Sequence, residues 1–171
     1  VVSHDRKSGV YWSIGFNIYN MIIRVILFLL INFAALAIGG LFTSSGVGSE
    51  WYKQLNKAPW TPPGWVFGFA WTLIMICFSF YMAYLWNQQN KTTLLFLFIL
   101  QWILNVSWNP LFFRFHQTNV ALVVIVLLNI LVGFLLLTNL RQLGYKTLFI
   151  VPYFLWLLIA TSLNAYISLK N

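Results

Sequence analysis

The chain has 171 residues, of which 61% are hydrophobic and only 7% charged. A soluble domain carries about 25% charged residues, so the apolar surface here exceeds what one core can hide and the solvent is lipid. The net charge of +8 suits anionic headgroups; a nucleic-acid partner is not expected, because no basic stripe lies on a soluble face.

Residues 1–20 mix polar and aromatic side chains without a sustained period. Met21-Ile22-Ile23-Arg24 then leads into the first apolar run. Segment 1–20 is therefore expected to be an extension or a non-native segment, set aside from functional reasoning, with one transmembrane domain over 21–171. About 20 apolar residues cross about 30 Å of hydrocarbon, and five segments qualify: 22–42, 64–86, 94–113, 120–140 and 147–169. The first is interrupted by Arg24 and Asn32. The runs are continuous and lack the alternation of a barrel strand, so they predict helices. Short turns between spans two to five force antiparallel neighbours. The fold class is an all-α membrane protein, a bundle of five transmembrane helices. Four basic residues fall on each side of the domain, so the positive-inside rule does not orient it.

Between the first two spans, residues 51–65 hold three tryptophans, three prolines and two lysines. Each proline fixes its own φ and pushes the preceding residue toward an extended conformation. The segment reads as a stiff, shaped lid, with Pro63 at the first turn of the next helix. Gly46, Gly48 and Gly64 flank it and permit movement.

Inside the spans, Gln101, Asn105 and Asn109 recur every four residues and share one face of the third helix, with Trp108 and Phe112 on or beside it. The opposite side, including Leu97 and Leu104, is then free for a second copy. On the fifth helix Tyr153, Trp156, Ala160 and Asn164 line one side. Asn32 and Asn129 add single amides. Such amides either tie helices together or line a pocket. Trp86, near a helix end, fits the interfacial aromatic belt; Trp102 faces lipid or a neighbouring helix. Trp71 and Trp156 lie too deep for a belt. Buried indoles seek a partner for the N–H and offer a flat π face, which suits a large planar apolar ligand.

The chemistry is narrowed further by what the chain lacks. Its acidic residues are Asp5 and Glu50, outside the spans, so no carboxylate pair or buried proton relay forms. His4, His116 and Cys77 are too dispersed for a metal site, and none is expected. A lone cysteine makes no internal disulfide. Gly46 and Gly48 lack the strand and lysine of a phosphate loop.

Three blocks carry a resemblance. The first is Trp51-Tyr52, Leu55, Lys57-Ala58-Pro59-Trp60-Thr61-Pro62-Pro63-Gly64-Trp65-Val66-Phe67-Gly68 and Trp71. The second is Gln101, Leu104-Asn105, Trp108 and Pro110-Leu111-Phe112-Phe113. The third is Pro152-Tyr153, Trp156-Leu157, Ala160-Thr161 and Leu163-Asn164. In these, the chain from Met21 onward resembles the translocator protein family (TspO, also called the peripheral benzodiazepine receptor family). Asn109 departs from it, since many members have a second proline beside Pro110, which bears on the helix-three kink.

The resemblance implies an integral membrane protein, here of a bacterial cell membrane, usually a homodimer. It implies a pocket beneath the first loop for porphyrins such as protoporphyrin IX and haem, and for isoquinoline carboxamide and benzodiazepine drugs. Tyr52, Trp71, Asn105, Trp108, Trp156 and Ala160 would line that pocket, with Trp51, Trp60, Pro62 and Pro63 in the lid. No obligatory cofactor is implied; porphyrin is a ligand. The role expected is sensing or regulation. The alternatives are light- and oxygen-dependent porphyrin degradation, with Trp71 and Trp156 as the redox-active indoles, and passive transport of porphyrin or sterol. Leu163, Tyr166 and Lys170 fit a loose cholesterol pattern, which is hypothesis-grade.

Overall fold

The computed structural model describes the backbone from residue 5 and the side chains from residue 17. Six α-helices follow in chain order: α1 Asp5–Val47, α2 Glu50–Gln54, α3 Gly64–Leu85, α4 Lys91–Asn109, α5 Thr118–Leu143 and α6 Val151–Lys170. A π-helical turn, Pro110–Arg114, continues α4, and a 3-10 turn, Gly144–Phe149, continues α5. No strand occurs among the described residues. Five helical segments are long and apolar enough to cross a membrane, as the run lengths predict.

The boundaries differ where capping or polarity intervenes. The first helix is longer at both ends than the predicted 22–42; its apolar stretch runs Asn17–Val47. Of the predicted segment 1–20, residues 1–4 lie outside the described residues, and from Asp5 the backbone is already helical. The third span starts at Lys91 because the Asn90 side chain accepts from the Thr92 and Thr93 N–H groups. This cap satisfies donors that a helix start otherwise leaves unpaired. The fourth extends to Leu143, past Arg141 and Gln142; Gln142 is held by donating to the Gln88 carbonyl at 2.9 Å. The short helix α2 was not foreseen. Five residues are too few for a periodic signal, but Ser49 caps it, its Oγ accepting from the Tyr52 N–H.

Two ends of the bundle can be distinguished. The turn end carries residues 86–90 and 144–150; the loop end carries residues 48–63, 115–117 and the C-terminus. The dense core lies toward the turn end. Ile74, Met75, Phe78, Tyr81 and Met82 of α3 are all at most 1% exposed. Tyr81 donates to the Leu135 carbonyl at 2.6 Å and Asn32 donates to Ser79 Oγ at 2.8 Å. These buried polar groups are paired, as a lipid-embedded bundle requires. α4 lies against both α1 and α5. For that reason Leu97 and Leu104 pack on the core rather than standing free, which corrects their expected outward position. The exposed side of α4 instead carries Leu95, Phe96, Ile99 and Ile103.

At the loop end α4 changes pitch. Pro110 has no N–H to continue the ladder. The chain widens, and the Phe115 N–H donates to the Pro110 carbonyl at 2.9 Å. This π turn buries Phe112 and Phe113 at the loop end. α1 comes so close that a Cβ on Gly46 would run into the Phe113 ring. Gly46 is therefore a close-packing position within α1, not the hinge expected from its place beside the loop.

Candidate ligand-binding site

A cavity of about 620 Å³ opens at the loop end, between α1, α3, α4, α5, α6 and the first loop. That lies within the roughly 300–1,000 Å³ of sites for drug-sized ligands. A dry, empty hole of this size would cost on the order of 15 kcal/mol, as much as a whole domain's stability. The wall must therefore suit water or a ligand, and its polar groups are what permit that.

Tyr52, Trp71, Asn105, Trp108, Trp156 and Ala160 all line this one cavity. They come from α2, α3, α4 and α6, so the helical spacing and the loop motif converge on a single space. Each is held differently. Trp108 donates from Nε1 to Asn164 Oδ1 at 2.9 Å, and Asn164 in turn donates to the Thr118 carbonyl. The Trp108 ring stacks on Phe112, centroids 5.2 Å apart. Trp71 meets Tyr153 edge-on at 6.1 Å, and Trp156 meets Phe67 edge-on at 5.3 Å. These contacts hold the indole rings in place along the cavity wall.

Two polar groups on the wall stand out. Trp156 is 7% exposed, and its buried Nε1–H has no hydrogen-bond partner among the described residues. The Asn105 side chain is likewise 7% exposed and makes no hydrogen bond with the described residues; only its backbone carbonyl accepts, from Asn109 Nδ2. A buried donor left unpaired costs about 1–3 kcal/mol. The Asn105 amide gains if a hydrogen-bonding group enters the cavity; the Trp156 N–H, which is itself covered, gains only if the ring shifts toward the cavity.

The α4 stripe thus divides. Gln101 is fully structural: its Nε2 donates to the Tyr153 hydroxyl at 2.7 Å in the core. Asn109 accepts from Thr43 Oγ1 at 2.8 Å and ties α4 to α1. Gly39 makes that approach possible, since a Cβ there would lie 2.7 Å from Asn109 Nδ2. Asn105 and Asn109 both line the cavity, but Asn105 is the one of the two whose side chain has no partner among the described residues. The α6 stripe divides too, for Tyr153 is in the core while Trp156, Ala160 and Asn164 line the cavity.

The lid residues also separate. Pro62 lines the cavity; Pro63 is the residue before α3, one position earlier than expected. Trp51 is not on the cavity wall. It stacks on His116 at 4.0 Å and packs edge-on against Phe112, supporting the aromatic wall from behind. Trp60 is 53% exposed and reaches over α6, donating from Nε1 to Ser162 Oγ at 3.1 Å. The loop is fastened again at Asn56, whose N–H donates to Asn171 Oδ1 at 2.9 Å.

Sequence reading passed over Lys57 as a loop charge. Among the described residues it is the one charged side chain lining the cavity, and its Nζ sits 4.1 Å from the centroid of the Tyr52 ring. Burial pushes the Tyr52 phenol above its ordinary value, so it stays a neutral donor near pH 7. The signal available for Lys57 was its place in the tryptophan- and proline-rich segment. Among the described residues no group of His, Cys, Asp and Glu side chains has the arrangement to hold a metal.

The fold and the cavity define a class: an integral membrane protein of five spans with a cavity lined in part by its first loop. The sequence pattern of the TspO/MBR family matches residues 27–170. The chain is 35% identical over 161 residues to "Tryptophan-rich protein TspO" of Archaeoglobus fulgidus, covering 91% of this chain and 99% of that one. It is 32% identical over 137 residues to the Chlorobaculum tepidum protein of the same name, covering 78% and 86%. It is 30% identical over 127 residues to human "Translocator protein", covering 70% and 73%. The chain belongs to the TspO/MBR family.

Proposed function

We propose that the loop-end cavity binds a planar tetrapyrrole acid of the protoporphyrin class, and that occupancy is sensed at the first loop. One observation carries this reading: among the described residues, an aromatic, amide-bearing wall meets a single cation, Lys57, with no carboxylate lining the cavity. Flat indole and phenyl faces suit a macrocycle. Lys57 suits a carboxylate, and the Asn105 amide, without a side-chain partner among the described residues, suits a polar edge of the ligand. Neutral isoquinoline and benzodiazepine ligands would use the same walls without Lys57. A relative from Cereibacter sphaeroides, 30% identical over 115 residues, carries the name "Tryptophan-rich sensory protein", which favours a sensing role.

The test is a fluorescence titration in detergent with protoporphyrin IX and with its dimethyl ester. Lys57→Gln should weaken the acid about tenfold or more, as expected for a lost charge-assisted bond, and leave the ester unchanged. Ala160→Phe, which fills the cavity, should abolish both. Equal binding of acid and ester by the unsubstituted protein, or full binding by Ala160→Phe, would refute the proposal.

A second reading, light- and oxygen-dependent degradation of bound porphyrin, is favoured by Trp71 and Trp156 sharing that wall. An indole there would donate an electron to the excited macrocycle, with oxygen as the final acceptor. Trp71→Phe combined with Trp156→Phe nearly keeps volume and apolarity, so the fold should persist. Illumination should then give no defined photoproduct, only bleaching at the rate of free porphyrin; an unchanged yield would sink the indole mechanism.

A further inference from the structure

A second cavity, about 380 Å³, lies at the turn end between α1 and α4 and shares no lining residue with the first. Its walls are Phe28 and Ile31 of α1 and Leu95 and Ile99 of α4. Trp102 closes one end by donating from Nε1 to the Ile31 carbonyl at 3.1 Å. Arg24 and Trp86 stand at the other end. From Arg24 to Ile31 is seven residues of helix, roughly 10 Å, so the groove reaches about two thirds of the way through one leaflet.

Arg24 lacks an internal counter-charge. The chain's acidic residues are Asp5 and Glu50. Glu50 is at the loop end, bridged to Lys53 at 2.8 Å. Asp5 is nineteen residues before Arg24 on the same helix, a rise of about 28 Å. Of the five guanidinium donors, one is used among the described residues, toward Asn87 Oδ1 at 2.6 Å. A second cation adjoins: Lys91 Nζ lies 5.9 Å from the Trp86 ring centroid. An apolar trough thus ends at Arg24, with Lys91 near the Trp86 ring that shares that end, and the chain has no acid there to meet them.

We propose that this groove holds one acyl chain of an anionic glycerophospholipid, with the lipid phosphate on Arg24 and Lys91 beside it. Charge complementarity selects this occupant over a second copy of the chain. A second copy related by a two-fold axis normal to the membrane carries its charges at the same depths, so it brings further cations and no acid to the level of Arg24. A lipid supplies the missing charge at the depth where headgroups lie.

Native mass spectrometry of the full chain in detergent tests this, with phosphatidylglycerol and phosphatidylcholine of identical acyl chains. The expected result is one retained phosphatidylglycerol, preferred about fivefold over phosphatidylcholine per cation engaged. Arg24→Gln should remove most of that preference and Arg24→Lys should keep part of it. Ile99→Trp should fill the trough and lower retention of both lipids. Excess inorganic phosphate should not displace the lipid. Protoporphyrin titration of Arg24→Gln and Ile99→Trp should match the unsubstituted protein, which verifies folding and keeps this test separate from the loop-end site. Equal retention of the two lipids, undiminished phosphatidylglycerol on Arg24→Gln, displacement by phosphate alone, or conversion of a dimer to monomer by Ile99→Trp at unchanged lipid count would overturn the proposal.

Discussion

Asn105 and Tyr153 give the sharpest test of how the bundle divides its polar groups. Both belong to stripes that look uniform in sequence, yet they end in different surroundings. Asn105 offers an amide to the cavity with no side-chain bond to the described residues. Asn105→Leu therefore removes a group that only water or ligand can satisfy. Stability should hold or rise by up to about 1 kcal/mol, while a lost ligand hydrogen bond should weaken porphyrin binding about fivefold to tenfold. Tyr153 is fully buried and its hydroxyl accepts from Gln101 Nε2. The Oε1 atom of Gln101 already has no partner among the described residues. Tyr153→Phe keeps the ring against Trp71 and Phe78 but strands the whole Gln101 amide. The cost should be about 1–3 kcal/mol, a fall in Tm of roughly 3–9 °C for a chain of this size, with affinity changed less than about twofold. Melting temperature and Kd measured on the same detergent sample separate the two variants. If Asn105→Leu loses several degrees at unchanged affinity, the amide is a helix tie and the division argued here is wrong.

Two other perturbations follow from the loop end. Gly46→Ala should destabilise by about 1–3 kcal/mol, since its Cβ meets the Phe113 ring and overpacking must push α1 away; Gly40→Ala, whose Cβ meets nothing within 4 Å, should be neutral or stabilising by up to about 1 kcal/mol through helix propensity, and thermal melts of the pair decide it. Replacing Pro62 and Pro63 with alanines should raise the porphyrin off-rate more than it lowers the on-rate, because a pre-shaped lid loses little entropy on closing; stopped-flow fluorescence gives both rates, and an unchanged off-rate with lowered stability would leave the prolines only setting the start of α3.

The helices and their order were legible because lipid demands long apolar runs, and such runs are hard to mistake. The six wall residues were legible in part from spacing: Asn105 and Trp108 on one helix, Trp156 and Ala160 on another. Tyr52 came through the motif. Other features were hidden for physical reasons. Whether an amide such as Gln101 or Asn105 pairs with a helix depends on depth along the bundle, and spacing alone gives only the face. Lys57 looked like any loop cation until the chain folded it over Tyr52. Trp60 lies in the first loop, but its side chain runs outward over α6, a matter of loop path rather than residue type. Gly46 read as a hinge because glycine beside a loop usually is one; only the π turn, which brings Phe113 against α1, gives it a packing role.

That π turn also explains why one bundle holds both a dense core and a chamber. Toward the turn end, α3 presents side chains at most 1% exposed to its neighbours, and packing there supplies the stability. Toward the loop end, Pro110 ends the regular ladder of α4, and the widened turn sends Phe112 and Phe113 to buried positions among Trp51, Tyr52 and Leu55. The aromatic volume that would otherwise fill the bundle axis is spent lining it. Helix ends that do not fill their own axis need fastening from outside. The chain supplies it with the Trp108–Asn164 bond, the Asn109–Thr43 bond and the loop clasp from Asn56 to Asn171. Each of these joins segments far apart in sequence, so the chamber keeps its shape through a few polar ties rather than through close packing. Such ties open at lower free energy than a packed core does. The loop end is thus the part of this fold able to admit a ligand without unfolding the rest.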